Sequence, residues 1–96
     1  MQYESLIKSV SKEARQRIEK QVKKLFEHKF GNCRRIRTCN LNLSKNIDLN
    51  ECKIDFGPGY RVYFIIQEGA IKILNAGIKK DQKRDVQYAI NEIENE

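Results

Sequence analysis

The sequence predicts a single α+β domain, residues 1–96, in which two helices precede an antiparallel sheet of three to four strands and one helix follows. Two observations carry this prediction. Apolar residues recur at helical spacing near both ends of the chain, and they alternate with polar residues between those ends. Turn residues separate the alternating runs, which favours hairpins between consecutive strands.

The N-terminal third predicts two helices. Leu6, Ile7 and Val10 fit one face of a short first helix. Ser11 is suited to cap the second helix, because its hydroxyl can accept a bond from a free backbone N–H. We expect this helix to end at Phe30-Gly31-Asn32, with Gly31 as the residue after the C-cap. Its apolar stripe consists of Ala14, Ile18, Val22, Leu25 and Phe26.

The middle of the chain predicts strands, and the end predicts a helix. Gly57-Pro58-Gly59 marks a sharp reversal, and Glu68-Gly69 marks a second turn. A further short strand fits the alternation of Cys39, Leu41 and Leu43 with polar residues. The main elements predicted are strands at Glu51–Phe56, Tyr60–Gln67 and Ala70–Ala76 and a helix at Asp81–Ile93.

Side-chain alternation divides the central hairpin into two faces. If the turn centres on Pro58, Asp55 lies near Arg61, Lys53 near Tyr63, and Glu51 near Ile65. The opposite face is almost wholly apolar and is expected to pack on the helices. The face with Lys53, Arg61 and Tyr63, which Lys72 can join, is then a solvated surface. Such a face is ordinary in antiparallel sheets, and it also suits a phosphodiester backbone with a stacked base.

Charge and composition narrow the function classes. The net charge is +6, and residues 12–37 hold ten Lys or Arg against three Glu. Nucleic acid and an acidic protein are the partner classes that suit this charge, and a solvated helix face explains it equally well. No apolar run approaches the roughly 20 residues of a membrane span. The N-terminus lacks the pattern of a secretory signal, so we expect a cytoplasmic protein without membrane contact.

The cysteines and the histidine predict neither a metal site nor a cofactor site. Cys33, Cys39 and Cys52 lack the spacing of a zinc site and indicate free thiols, with Cys52 on the apolar face. His28 is expected on a helix surface.

The central hairpin resembles the signature of a known family. The run Ile54-Asp55-Phe56-Gly57-Pro58-Gly59-Tyr60-Arg61-Val62-Tyr63-Phe64 is similar to the hairpin of addiction-module killer proteins, which belong to the RelE/ParE toxin superfamily. Weaker similarities extend this resemblance from about residue 3 to residue 93. They lie at Ala14-Arg15, Arg17-Ile18, Gly31-Asn32, Gly77-Ile78-Lys79 and Gln82-Lys83-Arg84-Asp85-Val86.

The resemblance implies a toxin of a type II toxin–antitoxin system in bacteria, with a curved sheet and helices on one side. It implies an endoribonuclease that cuts mRNA on the ribosome without a metal, by attack of a ribose 2′-OH on phosphate. A cognate antitoxin, often of helix-turn-helix type, is the implied partner. A gyrase inhibitor of the ParE type is the alternative.

The resemblance also implies roles for single residues. Arg61 matches a phosphate clamp, since its planar fork suits a phosphate. Lys53 and Lys79 match further cations, Tyr63 a stacking or proton-donating group, and Tyr88 a weaker candidate acid. Additional candidate RNA contacts are Arg34, Arg35, Arg37, Lys72, Lys80, Lys83 and Arg84.

Some positions depart from the family pattern. Ile78 replaces the usual aspartate, Ala76 replaces the first of two glycines, and the segment from Asn32 to Glu51 is longer. A degenerate toxin that only binds antitoxin or RNA therefore remains as a further alternative.

Overall fold

A computed structural model describes residues 1–36 and 47–95. It confirms the α+β class and the predicted order of elements. The helices are α1 (Tyr3–Ser9), α2 (Lys12–Phe26) and α3 (Gln82–Glu94), and a 3₁₀ turn (Lys79–Asp81) precedes α3. The strands are β1 (Cys33–Arg35), β2 (Leu49–Ile54), β3 (Tyr60–Gln67) and β4 (Ala70–Ile78). The strand proposed around Cys39–Leu43 lies outside the described residues, among which no helix is long and apolar enough to cross a membrane.

The four strands form one antiparallel sheet in the order β1-β2-β3-β4, and helices cover both of its faces. On one face, α1 and α2 pack against Ile54, Val62 and Phe64; we call it the α1/α2 face. On the other, the α3 face, Ala89, Ile90 and Ile93 of α3 form a second core with strand residues. The expectation of helices on one side only is therefore wrong.

The second core forms because one end of the sheet face that was expected to be solvated carries apolar side chains. Leu49 and Ile65 are cross-strand partners on that face, and both are fully buried. Leu74 joins them because a register shift in β4 leaves it as an extra residue opposite Tyr63/Phe64. Together they offer α3 an apolar surface, and burying it stabilises the fold by roughly 25 cal/mol for each Å² removed from water.

Helix α2 begins as predicted but ends earlier. The Ser11 hydroxyl accepts a 3.2 Å hydrogen bond from the Ala14 N–H, as expected of a cap. The helix ends at Phe26 rather than Phe30, because His28 takes the left-handed conformation with φ 58°. The His28 and Lys29 N–H groups bond back to the carbonyls of Leu25 and Lys24, both at 2.9 Å. This is a Schellman ending, so His28 occupies the place predicted for Gly31.

The apolar stripe of α2 is confirmed except at its last member. Ala14, Ile18, Val22 and Leu25 are buried against the sheet, whereas Phe26 is 56% exposed.

The hairpin between β2 and β3 has a different register from the one predicted. Its symmetry centre is Gly57 rather than Pro58, so Lys53 pairs with Arg61 and Glu51 pairs with Tyr63. The reason is the turn itself. Gly57 and Gly59 both have positive φ, and the Gly59 N–H closes the turn on the Phe56 carbonyl at 3.0 Å. Because the shift is two residues along β2, each side chain keeps its predicted face.

The second hairpin confirms the Glu68-Gly69 turn. These two residues link the paired Gln67 and Ala70, and both have positive φ, as a tight hairpin loop requires. Strand β4 continues beyond the predicted Ala76 to Ile78, because Gly77 and Ile78 still pair with Arg61 and Tyr60.

At Gly77, α3 approaches the sheet closely. A Cβ at this position would lie 2.0 Å from Oδ2 and 3.0 Å from Cγ of Asp85, in the first turn of α3. Asp85 is almost fully buried and therefore has little room to move. A residue without a side chain is required here for packing rather than for backbone conformation.

We predict that Gly77→Ala lowers the free energy of unfolding by about 1–3 kcal/mol, the usual cost of overpacking. Gly31→Ala is the matched control, because no atom lies within 4 Å of its added Cβ, and we expect a change within about 1 kcal/mol. Denaturant unfolding measures both. Equal midpoints for the two variants would show that Asp85 does not pack on Gly77.

Candidate active site

Two rows of cross-strand residues, all of them polar except Gly77, cross the α3 face beside the Gly57-Pro58-Gly59 hairpin. Each row joins cross-strand partners, whose side chains point to the same face of an antiparallel sheet. The inner row runs across all four strands and consists of Arg34, Glu51, Tyr63 and Asn75. The outer row, nearer the hairpin turn, consists of Lys53, Arg61 and Gly77.

Glu51 is the centre of the inner row. Its side chain is fully buried, and its carboxylate accepts a 2.9 Å bond from the Arg34 Nε. The Gln82 Nε2, at the start of α3, donates to the other carboxylate oxygen. The Arg61 Nε lies 3.8 Å from Oε1. The Glu51 carboxylate is therefore contacted by β1, by β3 and by the N-terminal end of α3.

Arg61 lies on the predicted face, but it is not the open clamp expected from the sequence. It is 4% exposed, and its Nη1 donates a 2.9 Å bond to the carbonyl of Tyr60. Its Nε has no hydrogen-bond partner among the described residues. The observed register places Arg61 one row away from Glu51, and the Glu51 carboxylate holds the Arg61 guanidinium inside the fold.

Tyr63 is also buried, which corrects the expectation of an exposed ring. It is 0% exposed, and its hydroxyl has no hydrogen-bond partner in residues 1–36 and 47–95. Burial raises the pKa of the Tyr63 phenol, and the carboxylates of Glu51 and Asp85 raise this pKa further. With α3 in place, this phenol is closed to a substrate.

The exposed charge beside Arg61 comes from two lysines. Lys53 is exposed and lies directly across from Arg61 on β2. Lys79 is exposed and follows β4, and its N–H donates a 2.8 Å bond to the Gly59 carbonyl. A Cβ placed on Gly59 would lie 3.8 Å from the Lys79 Cδ and 3.7 Å from the Arg61 Nη1. We call Lys53, Arg61 and Lys79 the hairpin cation site.

Arg34 flanks this site. Arg34 and Lys53 line a shallow depression of about 240 Å³ together with Asp55 and the backbone around Asn32. The Arg34 side chain is 58% exposed even though its Nε bonds Glu51. Arg34 therefore extends from the buried inner row to the depression that it shares with Lys53.

The remaining candidates lie elsewhere. Arg35 pairs with Asp48 at 3.5 Å, Lys72 lies two rows beyond Arg61 on β4, and Arg37 falls outside the described residues. Tyr88 is 47% exposed and lines an open groove of about 650 Å³ on the outer surface of α3. This groove also contains Lys80, Lys83 and Arg84, and it includes no member of the hairpin cation site.

Sequence reasoning missed the partners that hold the site together, Glu51, Asn75, Gln82 and Asp85. The Asn75 Nδ2 donates a 2.9 Å bond to the Asp85 carbonyl, which ties β4 to α3. The sequence did contain a signal for Asn75, because it is a polar residue that follows Ile73-Leu74 in an apolar strand. Nothing in the local pattern distinguishes Glu51 from an exposed strand carboxylate.

Chemically, the hairpin cation site suits a bound anion with several oxygens. Ammonium groups bind phosphate as point charges, and a guanidinium adds direction. Within the described parts of the chain, no group of three or more His, Cys, Asp or Glu is placed to hold a metal ion.

No family model, curated protein or solved structure matches the chain.

The buried Tyr63 hydroxyl leads to a prediction about alkaline pH. The pKa of Tyr63 is higher in the folded protein than in the unfolded chain, where it is about 10. Below that pH its contribution to stability is constant. Above it the unfolded chain releases the proton first, so the free energy of unfolding falls as pH rises. Tyr63→Phe should remove up to about 1.4 kcal/mol per pH unit from this slope.

At neutral pH, Tyr63→Phe should leave stability unchanged or raise it by about 1 kcal/mol, because it removes a buried hydroxyl without a partner. Tyr88→Phe on the exposed surface is the control, with a change within about 0.5 kcal/mol. Unfolding curves from neutral pH to above pH 10 test both statements. A large loss of stability at neutral pH in Tyr63→Phe would contradict them.

Proposed function

We propose that this chain is a toxin of the RelE/ParE type that binds RNA at the hairpin cation site and cleaves mRNA on the ribosome. The observation that carries the proposal is that Lys53 pairs with Arg61 across β2 and β3, while Arg61 and Lys79 both lie close to Gly59. The resemblance of the central hairpin to addiction-module killer proteins supports the same function.

The charge balance favours an anion at this site. Arg34 and Arg61 together compensate the buried carboxylate of Glu51, and the buried Asp85 pairs with the N-terminal ammonium group and with Arg84. Lys53 and Lys79 add two exposed positive charges, and the exposed Asp55 opposes them only in part. A phosphodiester that passes the hairpin would meet both ammonium groups, and the nearly buried Arg61 guanidinium would add its positive charge close to Gly59.

The reaction proposed needs no metal. The ribose 2′ oxygen forms a bond to phosphorus while the bond from phosphorus to the 5′ oxygen breaks, so the phosphorus gains negative charge in between. Lys53, Lys79 and Arg61 stabilise that charge. The 2′ hydroxyl must lose a proton and the leaving oxygen must gain one. Tyr63 lies one row behind Arg61 and takes part in this transfer only if α3 moves away.

The burial of the Tyr63, Arg61 and Glu51 side chains favours a second candidate function. Tyr63 is fully buried, Arg61 nearly so, and Glu51 is occupied by Arg34 and Gln82. A toxin that binds RNA or antitoxin without cutting would require only the exposed Lys53 and Lys79. The departure at Ile78, beside Lys79, supports the same alternative.

The proposal includes a protein partner. A type II toxin requires a cognate antitoxin, and we expect an acidic segment of it to neutralise the hairpin cation site. A helix-turn-helix protein encoded beside this chain would meet the expectation.

The test of function is controlled expression in a bacterium. Growth arrest with new mRNA ends, mapped by primer extension, supports the ribonuclease. Arrest without new ends, together with inhibition of purified gyrase in a supercoiling assay, supports a gyrase inhibitor instead. The absence of arrest, mRNA cleavage and gyrase inhibition, with RNA or antitoxin binding retained, supports the degenerate toxin.

We predict that Lys53→Ala combined with Lys79→Ala weakens binding to single-stranded RNA. The slope of log affinity against log salt should fall by about 1.4, because each lost phosphate contact removes about 0.7. mRNA cleavage in the cell should fall about 100-fold or more. The control is Lys12→Ala combined with Lys20→Ala, which removes two exposed charges of α2.

If both double variants lower the salt slope equally, RNA binding is a general effect of net charge and the hairpin cation site is not the binding site. Circular dichroism of both variants verifies that they are folded.

A further inference from the structure

Cys33 and Cys52 are cross-strand partners on the α1/α2 face of the sheet. Cys33 belongs to the three-residue edge strand β1, and Cys52 lies opposite it on β2. Cys52 is buried in the core, and Cys33 packs against the same core while half-buried. Both thiols are free.

The backbone bonds around this pair define its geometry. The Lys53 N–H donates to the Asn32 carbonyl at 2.9 Å, and the Ile36 N–H donates to the Leu49 carbonyl at 2.8 Å. In an antiparallel ladder, hydrogen-bonded and non-hydrogen-bonded pairs alternate. Since 32/53 and 36/49 are bonded positions, Cys33 and Cys52 form a non-hydrogen-bonded pair. Such pairs have Cα atoms about 4.5 Å apart, inside the range of about 4.4–6.8 Å that a disulfide spans.

The two thiols are close enough for each to change the pKa of the other. Burial, followed by the influence of Cys33, raises the pKa of Cys52 to about 12. Burial also raises the pKa of Cys33, but the influence of Cys52 opposes this. Cys33 is therefore the more exposed and the more readily ionised thiol of the pair.

We propose that Cys33 and Cys52 form a reversible disulfide by exchange with a low-molecular-weight disulfide. The Cys33 thiolate attacks one sulfur of that disulfide, forms a mixed disulfide and releases one small thiol. Cys52 then loses its proton, attacks the Cys33 sulfur and releases the second small thiol. One small disulfide is reduced to two thiols while the two cysteines are oxidised, so electrons and protons balance.

The link would fasten β1 to β2 beside Arg34. Strand β1 has only three residues. Its Arg34, next to Cys33 in the chain, bonds Glu51 on the opposite face of the sheet. A covalent bond between Cys33 and Cys52 would hold Arg34 next to Lys53 independently of the hydrogen bonds of β1. The proposal stands whether or not the chain acts on RNA.

The test uses the whole chain in a glutathione redox buffer, followed by alkylation of the remaining thiols and trypsin. The sequence places the three cysteines in separate tryptic peptides, namely residues 30–34, 38–45 and 46–53. We expect the peptide with Cys33 to be joined to the peptide with Cys52 and Cys39 to be alkylated. The oxidised chain should melt on the order of 10 °C higher than the reduced chain, and dithiothreitol should reverse the shift.

Two controls sharpen the outcome. In the denatured chain, the shorter loop between Cys33 and Cys39 is the easier one to close, so the preference for Cys52 should disappear. Cys39→Ser should oxidise like the wild type, and Cys52→Ala should stop at the mixed disulfide on Cys33. A persistent mixed disulfide in the wild type, or the same pairing in native and denatured chains, would overturn the proposal.

Discussion

The fold depends most on one buried carboxylate, that of Glu51. Removing an ionised carboxylate from water costs several kcal/mol, and only close partners of opposite charge offset this cost. Arg34 from β1 and Gln82 from α3 bond it directly, and Arg61 from β3 lies 3.8 Å away. The edge strand, the hairpin and the last helix are therefore coupled, because each supplies a group that the charge requires.

This coupling explains why the candidate site has its particular shape. Arg61 is drawn inward by Glu51 and is almost fully buried, and its Nη1 lies close to Gly59. Lys53 and Lys79 lie on either side and remain exposed. The same contacts place α3 over Tyr63, and Glu51, Tyr63 and Asn75 of the inner row are buried. The proposed function therefore depends on the outer row, and the inner row is structural while α3 is docked.

Sequence reasoning succeeded where the determinants are local. The stripe of α2, the Ser11 cap and the Glu68-Gly69 turn are set within a few residues, and the period of alternation assigned each hairpin side chain to its face. It failed where distant residues decide. The hairpin register depends on two positive-φ glycines, the burial of Tyr63 depends on a helix about 20 residues further along, and that of Arg61 depends on Glu51 of the neighbouring strand. The shared face of Lys53 and Arg61 and the exposure of Lys53 could thus be predicted, but the burial of Arg61 could not.

The most direct test of the central claim is a double-mutant cycle of Glu51→Gln and Arg61→Met, read as free energies of unfolding from denaturant curves. Each single variant should lose about 3–5 kcal/mol. The double variant should lose less than their sum by about 1–3 kcal/mol. A parallel cycle on the exposed Arg35–Asp48 pair should give a coupling energy below about 1 kcal/mol. If the Glu51 and Arg61 losses add within about 0.5 kcal/mol, the buried carboxylate does not couple β2 to β3, and the central claim is wrong.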